Sequence, residues 1–218
     1  MRQSGSRQGF VITGTDTDVG KTVFAAGLAA ALDGSYWKPV QAGLAGETDT
    51  EIVRRLSGLP KERMLREAYR LTTAASPHLA AERDGIEIDT ARLTVPETAQ
   101  PLVVEGVGGL LVPLTREFLQ IDLFVRWGMP IILCASTRLG TINHSLLSIE
   151  ALKRRSILLL GIVFVGDESA DSERTIAEMG GVRHLGRLPW LDPLDSSSLR
   201  TAFEASFRRE DFLAGLPA

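Results

Sequence analysis

Residues 14–22, with the sequence Gly-Thr-Asp-Thr-Asp-Val-Gly-Lys-Thr, constrain the fold more than any other part of the chain. An apolar stretch that predicts a buried strand precedes them (residues 9–13), and a helix-forming stretch (residues 23–32) follows. A loop between a strand and a helix start can direct several backbone N–H groups at one polyphosphate. In such a loop Lys21 reaches the terminal phosphates and the Thr22 hydroxyl ligates magnesium. We therefore predict a nucleoside triphosphate site; a glycine turn that merely joins strand to helix is the alternative.

The spacing within this phosphate loop departs from the standard pattern. Five residues separate Gly14 from Gly20 where the standard loop has four, and Thr15 stands where its first glycine is expected. The prediction of a nucleotide site therefore depends on the order strand, loop and helix as well as on the motif.

The rest of the chain alternates apolar strands with helices. Continuously apolar strands between helices predict a parallel sheet covered on both faces, with ligands at the carboxyl ends of the strands. We expect an α/β fold of the P-loop NTPase type: a single doubly wound domain over residues 1–218, with a mostly parallel sheet and helices on both faces. Predicted strands cover residues 36–40, 101–105, 130–135, 157–165 and 182–188; predicted helices cover 49–56, 121–127, 143–155 and 172–179, and a further helix starts at Ser76 and Pro77.

Composition and charge argue against several classes of partner. The net charge of −3 and the pI of about 5.7 argue against nucleic acid, which requires a basic face. The longest apolar run, residues 157–165, is shorter than the roughly 20 residues of a membrane span, and residues 1–8 are polar, without a signal core. The single cysteine, Cys134, allows no internal disulfide, lies in an apolar strand and suits a reducing compartment. We expect a cytoplasmic protein with no nucleic-acid or membrane partner.

Polar residues stand where predicted strands end. Glu105 ends an apolar strand and precedes three glycines, at 106, 108 and 109, which let the backbone approach a ligand. P-loop proteins hold their metal with a second carboxylate at such a position, although a solvated glutamate is the alternative. Pro39 forces Lys38 to be extended, so this lysine leaves the strand in a fixed direction, although a surface lysine fits equally well. Two lysines beside one triphosphate suit a reaction that also gathers a second anion.

Three aspartates are further candidates for the metal site. Asp16 and Asp18 lie in the phosphate loop, and Asp49 begins a predicted helix. A loop-capping role for Asp18 and a helix N-cap role for Asp49 are the alternatives. The three histidines are scattered, and no Ser-His-Asp arrangement or exposed thiol indicates covalent catalysis.

Several of these segments resemble the dethiobiotin synthetase family. Its phosphate loop usually reads Gly-Thr-Asp-Thr-x-Val-Gly-Lys-Thr, as residues 14–22 do. The resemblance continues in order over nearly the whole chain, through residues 38–43 (Lys-Pro-Val-Gln-Ala-Gly), 76–78 (Ser-Pro-His), 104–109 (Val-Glu-Gly-Val-Gly-Gly), 139–144 (Leu-Gly-Thr-Ile-Asn-His) and 188–191 (Leu-Pro-Trp-Leu).

The resemblance implies a homodimeric ligase of biotin biosynthesis. It would close the ureido ring of dethiobiotin from 7,8-diaminononanoate, CO₂ or bicarbonate, ATP and Mg²⁺. One amine forms a carbamate, ATP phosphorylates it, and the second amine attacks the carbamic–phosphoric anhydride and expels phosphate. The alternative is a dimeric ATPase switch with a variant phosphate loop that acts on a protein partner. Such switches usually carry a second lysine in the loop, which this chain lacks, and often a membrane-targeting tail, for which the mixed charges of residues 203–212 are poorly suited.

The resemblance also implies roles for individual residues. Lys21 and Lys38 would be catalytic, and Thr22, Asp49 and Glu105 would hold the metal. Nucleotide contacts would come from Asp18, Val19, Gly20, Lys21, Thr22, Val23, Glu105, Gly108, Gly166, Pro189, Trp190 and Leu191. Substrate contacts would come from Thr17, Lys38, Ala42, Gly109, Leu139, Gly140 and Asn143, with residues 140–143 binding the substrate carboxylate from the partner subunit.

One position departs from the family pattern. Members usually place an asparagine, which reads the adenine edge, near the end of the strand predicted at residues 157–165. Val165 stands there in this chain, and valine can neither donate nor accept a hydrogen bond. We therefore expect that the protein uses ATP but also accepts other nucleoside triphosphates.

Overall fold

A seven-stranded parallel sheet forms the centre of this protein, whose computed structural model describes residues 8–215. Its strands are β1 (Gly9–Gly14), β2 (Ser35–Trp37), β4 (Met64–Leu65), β6 (Leu102–Gly109), β7 (Ile131–Ser136), β8 (Leu159–Val165) and β9 (His184–Leu188). They lie in the order β4-β2-β6-β1-β7-β8-β9, and a separate parallel pair joins β3 (Val40–Ala42) to β5 (Tyr69–Leu71). The predictions for residues 1–7 and for the two ends of the predicted domain lie outside the described residues.

Helices cover both faces of this sheet. They are α1 (Lys21–Leu32), α2 (Asp49–Ser57), α3 (Pro77–Asp84), α4 (Gln120–Trp127), α5 (Thr141–Arg154), α6 (Ala170–Gly180), α7 (Ser196–Ser206) and α8 (Arg209–Leu213), with 3₁₀ turns at Lys61–Arg63 and Thr90–Arg92. Buried side chains of α1, α2, α7 and α8 pack on one face, and those of α3, α4, α5 and α6 on the other. The predicted doubly wound α/β fold is confirmed.

Strand β1 shows why the strands read as continuously apolar. Successive side chains of a strand point to opposite faces. Phe10 and Ile12 accordingly pack in the core beneath α1, whereas Val11 packs in the opposite core beneath α4, and all three are fully buried. Because β1 lies between β6 and β7, the phosphate loop leaves the middle of the sheet.

The predicted strand at residues 36–40 is not continuous. The chain divides at Pro39 into β2 and β3, which belong to different sheets. Proline has no N–H to continue a strand ladder. The Pro39 carbonyl instead accepts hydrogen bonds from the backbone N–H groups of Ala68 (2.9 Å) and Tyr69 (3.1 Å). Lys38 therefore lies at the break, at the carboxyl end of β2.

The starts of two helices also differ from the prediction. The N-cap of α2 is Thr48 rather than Asp49, because Thr48 and Glu51 form a reciprocal capping box. Helix α5 begins at Thr141, two residues before the predicted start at Asn143; its N-cap is Gly140, whose φ of 97° is a left-handed conformation that glycine adopts at little cost. Asp49 and Asn143 therefore lie in the first turns of their helices, and the Asp49 carboxylate is free of a capping role.

Other elements differ from the prediction mainly at their ends. The helix start at Ser76 and Pro77 is confirmed, although the Ser76 side chain makes no capping hydrogen bond. Strand β8 begins at Leu159, two residues later than predicted, and α6 at Ala170, two residues earlier. The sequence pattern does not predict β4, β5, α7 or α8, which are short or weakly periodic.

The segment at residues 203–212 folds back onto α1. Phe203, Phe207 and Phe212 surround the fully buried ring of Phe24, with ring centroids 5.7, 5.4 and 6.2 Å from it. Aromatic pairs at such distances add roughly 0.5–1.5 kcal/mol to the stability that area burial gives. The apolar residues of this segment thus belong to the core behind the helix that carries Lys21. Within residues 8–215, no helix combines the length and the hydropathy needed to cross a membrane.

Candidate active site

The phosphate loop joins β1 to α1, as predicted. Gly20 and Asp18 have left-handed φ angles of 87° and 56°, which turn the loop back over the start of the helix. Lys21 is only 6% exposed, and its Nζ donates to the backbone carbonyl of Asp16 at 2.8 Å, across the loop. Burial lowers the pKa of Lys21, while the nearby charge of Glu105 opposes the shift. The loop therefore encloses a buried amine of the kind that a phosphate group can pair with.

The remaining loop residues divide between surface and core. Asp16 and Asp18 are exposed, and the Asp16 carboxylate accepts a hydrogen bond from the Thr17 N–H within the loop. The side chains of Val19 and Val23 pack in the core beneath α1. The carboxylates that meet at the start of α1 come from other parts of the chain.

Thr22, Asp49 and Glu105 meet there from three different elements. Thr22 is the second residue of α1, Asp49 the first of α2, and Glu105 lies in β6. The Thr22 Oγ1 lies 3.2 Å from Asp49 Oδ1 and 2.9 Å from Glu105 Oε1. The residues for which the sequence predicts metal binding are thus brought together.

The chemistry of this oxygen set fits magnesium. In residues 8–215 there is no group of three or more His, Cys, Asp or Glu side chains that could hold a metal ion. Magnesium, however, is usually bound through one or two carboxylates, together with water and substrate phosphates. Two carboxylates and a hydroxyl beside a phosphate loop meet that requirement.

Lys38 lies between the two carboxylates. Its Nζ is 2.6 Å from Asp49 Oδ2 and 3.0 Å from Glu105 Oε1, and it also donates to the Gly106 carbonyl at 3.0 Å. Burial alone would lower the pKa of Lys38, but the charges of Glu105 and Asp49 outweigh it and raise this pKa. Because Lys38 is only 3% exposed, its interpretation as a surface lysine is wrong.

Tyr36 is a contact of the site that sequence reasoning missed. It is fully buried, and its hydroxyl donates to Glu105 Oε2 at 2.8 Å. Burial and the charge of Glu105 raise the pKa of Tyr36 well above its usual value, so the hydroxyl stays protonated and remains a donor. No local sequence signal identifies this contact, because it depends on the pairing of β2 with β6.

Two buried glutamines brace the backbone around these carboxylates, and sequence reasoning assigned them no role. Gln41 accepts a hydrogen bond from the N–H of Asp49 at 3.2 Å and so holds the start of α2. Gln120 accepts from the Val107 N–H at 2.6 Å and donates to the Gly109 carbonyl at 2.9 Å, which fixes the glycine loop after Glu105.

A cavity of about 320 Å³ opens beside the phosphate loop. It has a polar end at Thr17 and apolar walls, so it suits a molecule with a polar head and an apolar chain. Gly108 has a left-handed φ of 61°, and a Cβ there would lie 3.0 Å from Val112 Cγ2 and 3.4 Å from Thr17 Oγ1. The cavity is lined by Thr15, Asp16, Thr17, Gly109, Leu110, Leu111, Val112, His144, Leu147, Ser148 and Ala151.

Some predicted substrate residues lie away from this cavity. The wall formed by α5 begins at His144, whereas Leu139, Gly140 and Asn143 are exposed at the start of that helix. Ala42 ends β3 and is partly buried. Of the predicted substrate residues, the structure places Thr17 and Gly109 in the cavity wall, and Lys38 among the carboxylates described above.

Comparison with known proteins decides the family. A family profile described as an AAA domain matches residues 8–198. A relative from Rhodopseudomonas palustris, named ATP-dependent dethiobiotin synthetase BioD, is 62% identical over 95% of this chain and 98% of its own length. A relative of the same name from Nitrobacter hamburgensis is 63% identical over 94% of this chain and 97% of its own. The chain belongs to the dethiobiotin synthetase family.

Solved structures of more distant proteins share the fold of this dethiobiotin synthetase family member. The MinC:MinD cell division complex of Aquifex aeolicus matches with a TM-score of 0.51 and 12% identity, over 91% of this chain and 94% of that one. An ATP complex of Cyanothece McdA matches with a TM-score of 0.51 and 15% identity, over 98% and 99% of the two chains. At this identity the likeness shows the fold alone.

Val165, at which we expect a departure from the dethiobiotin synthetase pattern, is the last residue of β8. The Val165 side chain packs directly on Gly20, since a Cβ on Gly20 would lie 2.6 Å from Val165 Cγ1. Gly166 follows, beside the Thr137 hydroxyl and the indole of Trp190, which is 52% exposed. Four predicted nucleotide residues thus lie at the carboxyl ends of strands, as the phosphate loop does. Gly166 follows β8, and Pro189, Trp190 and Leu191 follow β9.

Proposed function

We propose that this protein is the ATP-dependent ligase that closes the ureido ring of dethiobiotin from 7,8-diaminononanoate and CO₂. One observation carries the proposal: Thr22 and Lys38 each lie within hydrogen-bond distance of both Asp49 and Glu105, beside a phosphate loop that encloses Lys21. The names and the identity of the relatives support the same activity and favour it over an ATPase switch that acts on a protein partner.

The proposed reaction needs no protein nucleophile. One substrate amine adds to CO₂ and loses a proton, which gives a carbamate. A carbamate oxygen attacks the γ-phosphorus of ATP, and ADP leaves. The second amine then attacks the carbonyl carbon of the mixed anhydride, a proton is lost, phosphate is expelled and the ring closes. Such a sequence depends on positioning and on neutralising charge.

The lysines and the carboxylates supply those two requirements. Lys21 binds the terminal phosphates of ATP, and Lys38 faces the carbamate and the phosphoryl group in transfer. Thr22, Asp49 and Glu105 would hold Mg²⁺, which when bound neutralises charge on the triphosphate. Lys38 pairs with both carboxylates and holds them close together, so the oxygen set is organised before the nucleotide binds.

The experiment that tests this function compares phosphate release from ATP under four conditions. These are protein alone, protein with 7,8-diaminononanoate, protein with bicarbonate, and protein with both. The ligase requires both compounds for rapid release and forms one dethiobiotin per phosphate. Release that is independent of the diamine would contradict the proposal and favour the ATPase switch.

We also propose that the active protein is a homodimer in which each subunit completes the other's substrate site. Leu139, Gly140 and Asn143 support this, because they are exposed at the start of α5 and do not line the cavity of their own chain. The free backbone N–H groups at a helix start suit a carboxylate. In this proposal they bind the carboxylate end of the substrate, for which the residues described above provide no other partner.

Mixing two inactive variants tests the shared site. Lys21→Ala removes the phosphate contact of its own chain, and Asn143→Ala removes the contact given to the partner. After random subunit exchange, about half of the dimers are mixed, and each mixed dimer has one intact site, so we expect about a quarter of wild-type activity. If exchange is confirmed by mass spectrometry and no activity returns, each site is built from one chain.

We propose further that the protein accepts several nucleoside triphosphates. Val165 offers no hydrogen bond to a base. Trp190 and Arg138, whose guanidinium lies 5.8 Å from the indole centroid, form a stacking surface that tolerates any base. We expect kcat/KM for ATP to exceed that for CTP, GTP or UTP by about tenfold or less.

The matched variant for this prediction is Val165→Asn. An amide that reads adenine is worth about 1–3 kcal/mol of discrimination, so the variant is expected to prefer ATP by about ten- to a hundredfold more than the wild type does. A wild-type preference for ATP above about a hundredfold would contradict the prediction, since the backbone would then suffice to read adenine.

A further inference from the structure

Tyr36 places one polar atom in an otherwise apolar part of the core. Its ring is fully buried in the core cluster beneath α1 and α2, together with Phe10, Leu28 and Leu56. Its hydroxyl donates to Glu105 Oε2 at 2.8 Å. A buried hydroxyl that loses its partner destabilises the fold, so the packing of the ring restricts where the carboxylate can lie.

The two oxygens of Glu105 consequently have different surroundings. Oε2 faces Tyr36 in the core, whereas Oε1 lies 2.9 Å from the Thr22 hydroxyl and 3.0 Å from the Lys38 ammonium. The terminal torsion of a glutamate is soft, so backbone position alone does not fix the plane in which the carboxylate lies. Tyr36 supplies the missing constraint from behind the carboxylate.

We propose that Tyr36 is a positioning residue that holds the Glu105 carboxylate in the orientation that presents one oxygen to Thr22 and Lys38, and that it thereby sets the affinity of the site for magnesium. The role of Tyr36 rests on the proposed function, because it requires the metal shell of Thr22, Asp49 and Glu105. Groups that orient a metal ligand from behind typically change metal affinity by about 10–100-fold when they are removed.

The alternative is that Tyr36 only fills the core. Tyr36→Phe separates the two roles, because it keeps the ring and removes the hydroxyl. The chain contains one other tyrosine, and Tyr69→Phe is the matched control. Tyr69 is 5% exposed, and its hydroxyl is hydrogen-bonded to the backbone of Asp89, on the opposite side of the sheet.

The experiment titrates Mg²⁺ into wild-type protein, Tyr36→Phe and Tyr69→Phe, each saturated with a non-hydrolysable ATP analogue, and follows binding by calorimetry. We expect Tyr36→Phe to raise the Kd for Mg²⁺ about tenfold or more, and Tyr69→Phe to change it less than about twofold. Metal-free binding of the analogue is expected to stay the same in all three proteins. In turnover, saturating Mg²⁺ should restore most of the kcat of Tyr36→Phe.

The outcomes separate the two proposals. A Kd for Mg²⁺ that is unchanged or lower in Tyr36→Phe overturns the positioning role and leaves the metal shell standing. A wild-type protein whose complex with the analogue binds no Mg²⁺ overturns both. Thermal unfolding of both variants without metal shows whether the loss of either hydroxyl disturbs the core to the same extent.

A second measurement covers the case in which Tyr36→Phe does not fold. Wild-type protein labelled with [ζ-¹³C]tyrosine gives two tyrosine signals, which Tyr69→Phe assigns. When Mg²⁺ is added to the analogue complex, the Tyr36 signal is expected to shift and the Tyr69 signal to stay in place. A Tyr36 signal that does not respond to Mg²⁺ overturns the proposal.

Discussion

Lys21→Ala is expected to lower phosphate release at least a thousandfold while the protein stays folded. Removing one group that stabilises charge in a transition state costs about 10²–10³ in rate, and Lys21 also binds the ground-state triphosphate. The side chain donates to a loop carbonyl and lies outside the apolar clusters, so the core that anchors α1 is retained.

The measurement is the steady-state rate with 7,8-diaminononanoate and bicarbonate, accompanied by circular dichroism and thermal unfolding. Lys61→Ala, at an exposed lysine in a 3₁₀ turn, is the matched control and should retain wild-type rates. Lys21→Ala activity within about tenfold of wild type, or about 1.4 kcal/mol of barrier, would contradict the assignment of the phosphate site.

Lys38→Gln is expected to lower kcat about a hundredfold or more while the Kd for nucleotide changes less than about threefold. Its Nζ lies 2.6 Å from Asp49 and 3.0 Å from Glu105, so the variant leaves two neighbouring carboxylates without the cation between them. Because the proposed role concerns the carbamate and the phosphoryl group in transfer, the loss should appear in turnover rather than in nucleotide binding.

Calorimetry with ATP analogues beside steady-state rates separates the possible roles of Lys38. Equal losses in kcat and in nucleotide affinity would make it a nucleotide contact, and no loss in either would remove it from the mechanism. Lys38→Arg retains the charge but replaces a compact ammonium with a planar group, so we expect it to recover little of the rate.

The parts of the site that could be predicted are those with a local signal. An apolar strand directly precedes the phosphate loop and a helix directly follows it, so neighbouring residues are enough to identify it. Glu105 likewise ends an apolar stretch immediately before a segment that contains three glycines. Pro39 also carries a local signal, because proline has no N–H for a strand ladder. That missing N–H ends β2 and permits the start of β3, in addition to constraining Lys38.

The parts that could not be predicted depend on which strands are neighbours. Strand β2 pairs with β6 in a register that places Tyr36 beside Val103, and this brings the tyrosine hydroxyl within reach of Glu105. Nothing near Tyr36 in the sequence specifies that pairing. The contact of Gln120 also depends on the tertiary fold. Gln120 begins α4 and reaches the glycine loop only because α4 lies beside the end of β6.

The packing of Phe24 against Phe203, Phe207 and Phe212 has a consequence for how the protein is made. During translation, the phosphate loop and α1 leave the ribosome long before the phenylalanines that cover the back of that helix. Contacts between distant parts of a chain form late, because the intervening loop must be closed first. A nascent chain that stalls before residue 203 therefore carries the complete phosphate motif on a helix whose Phe24 ring lacks the three phenylalanines that surround it.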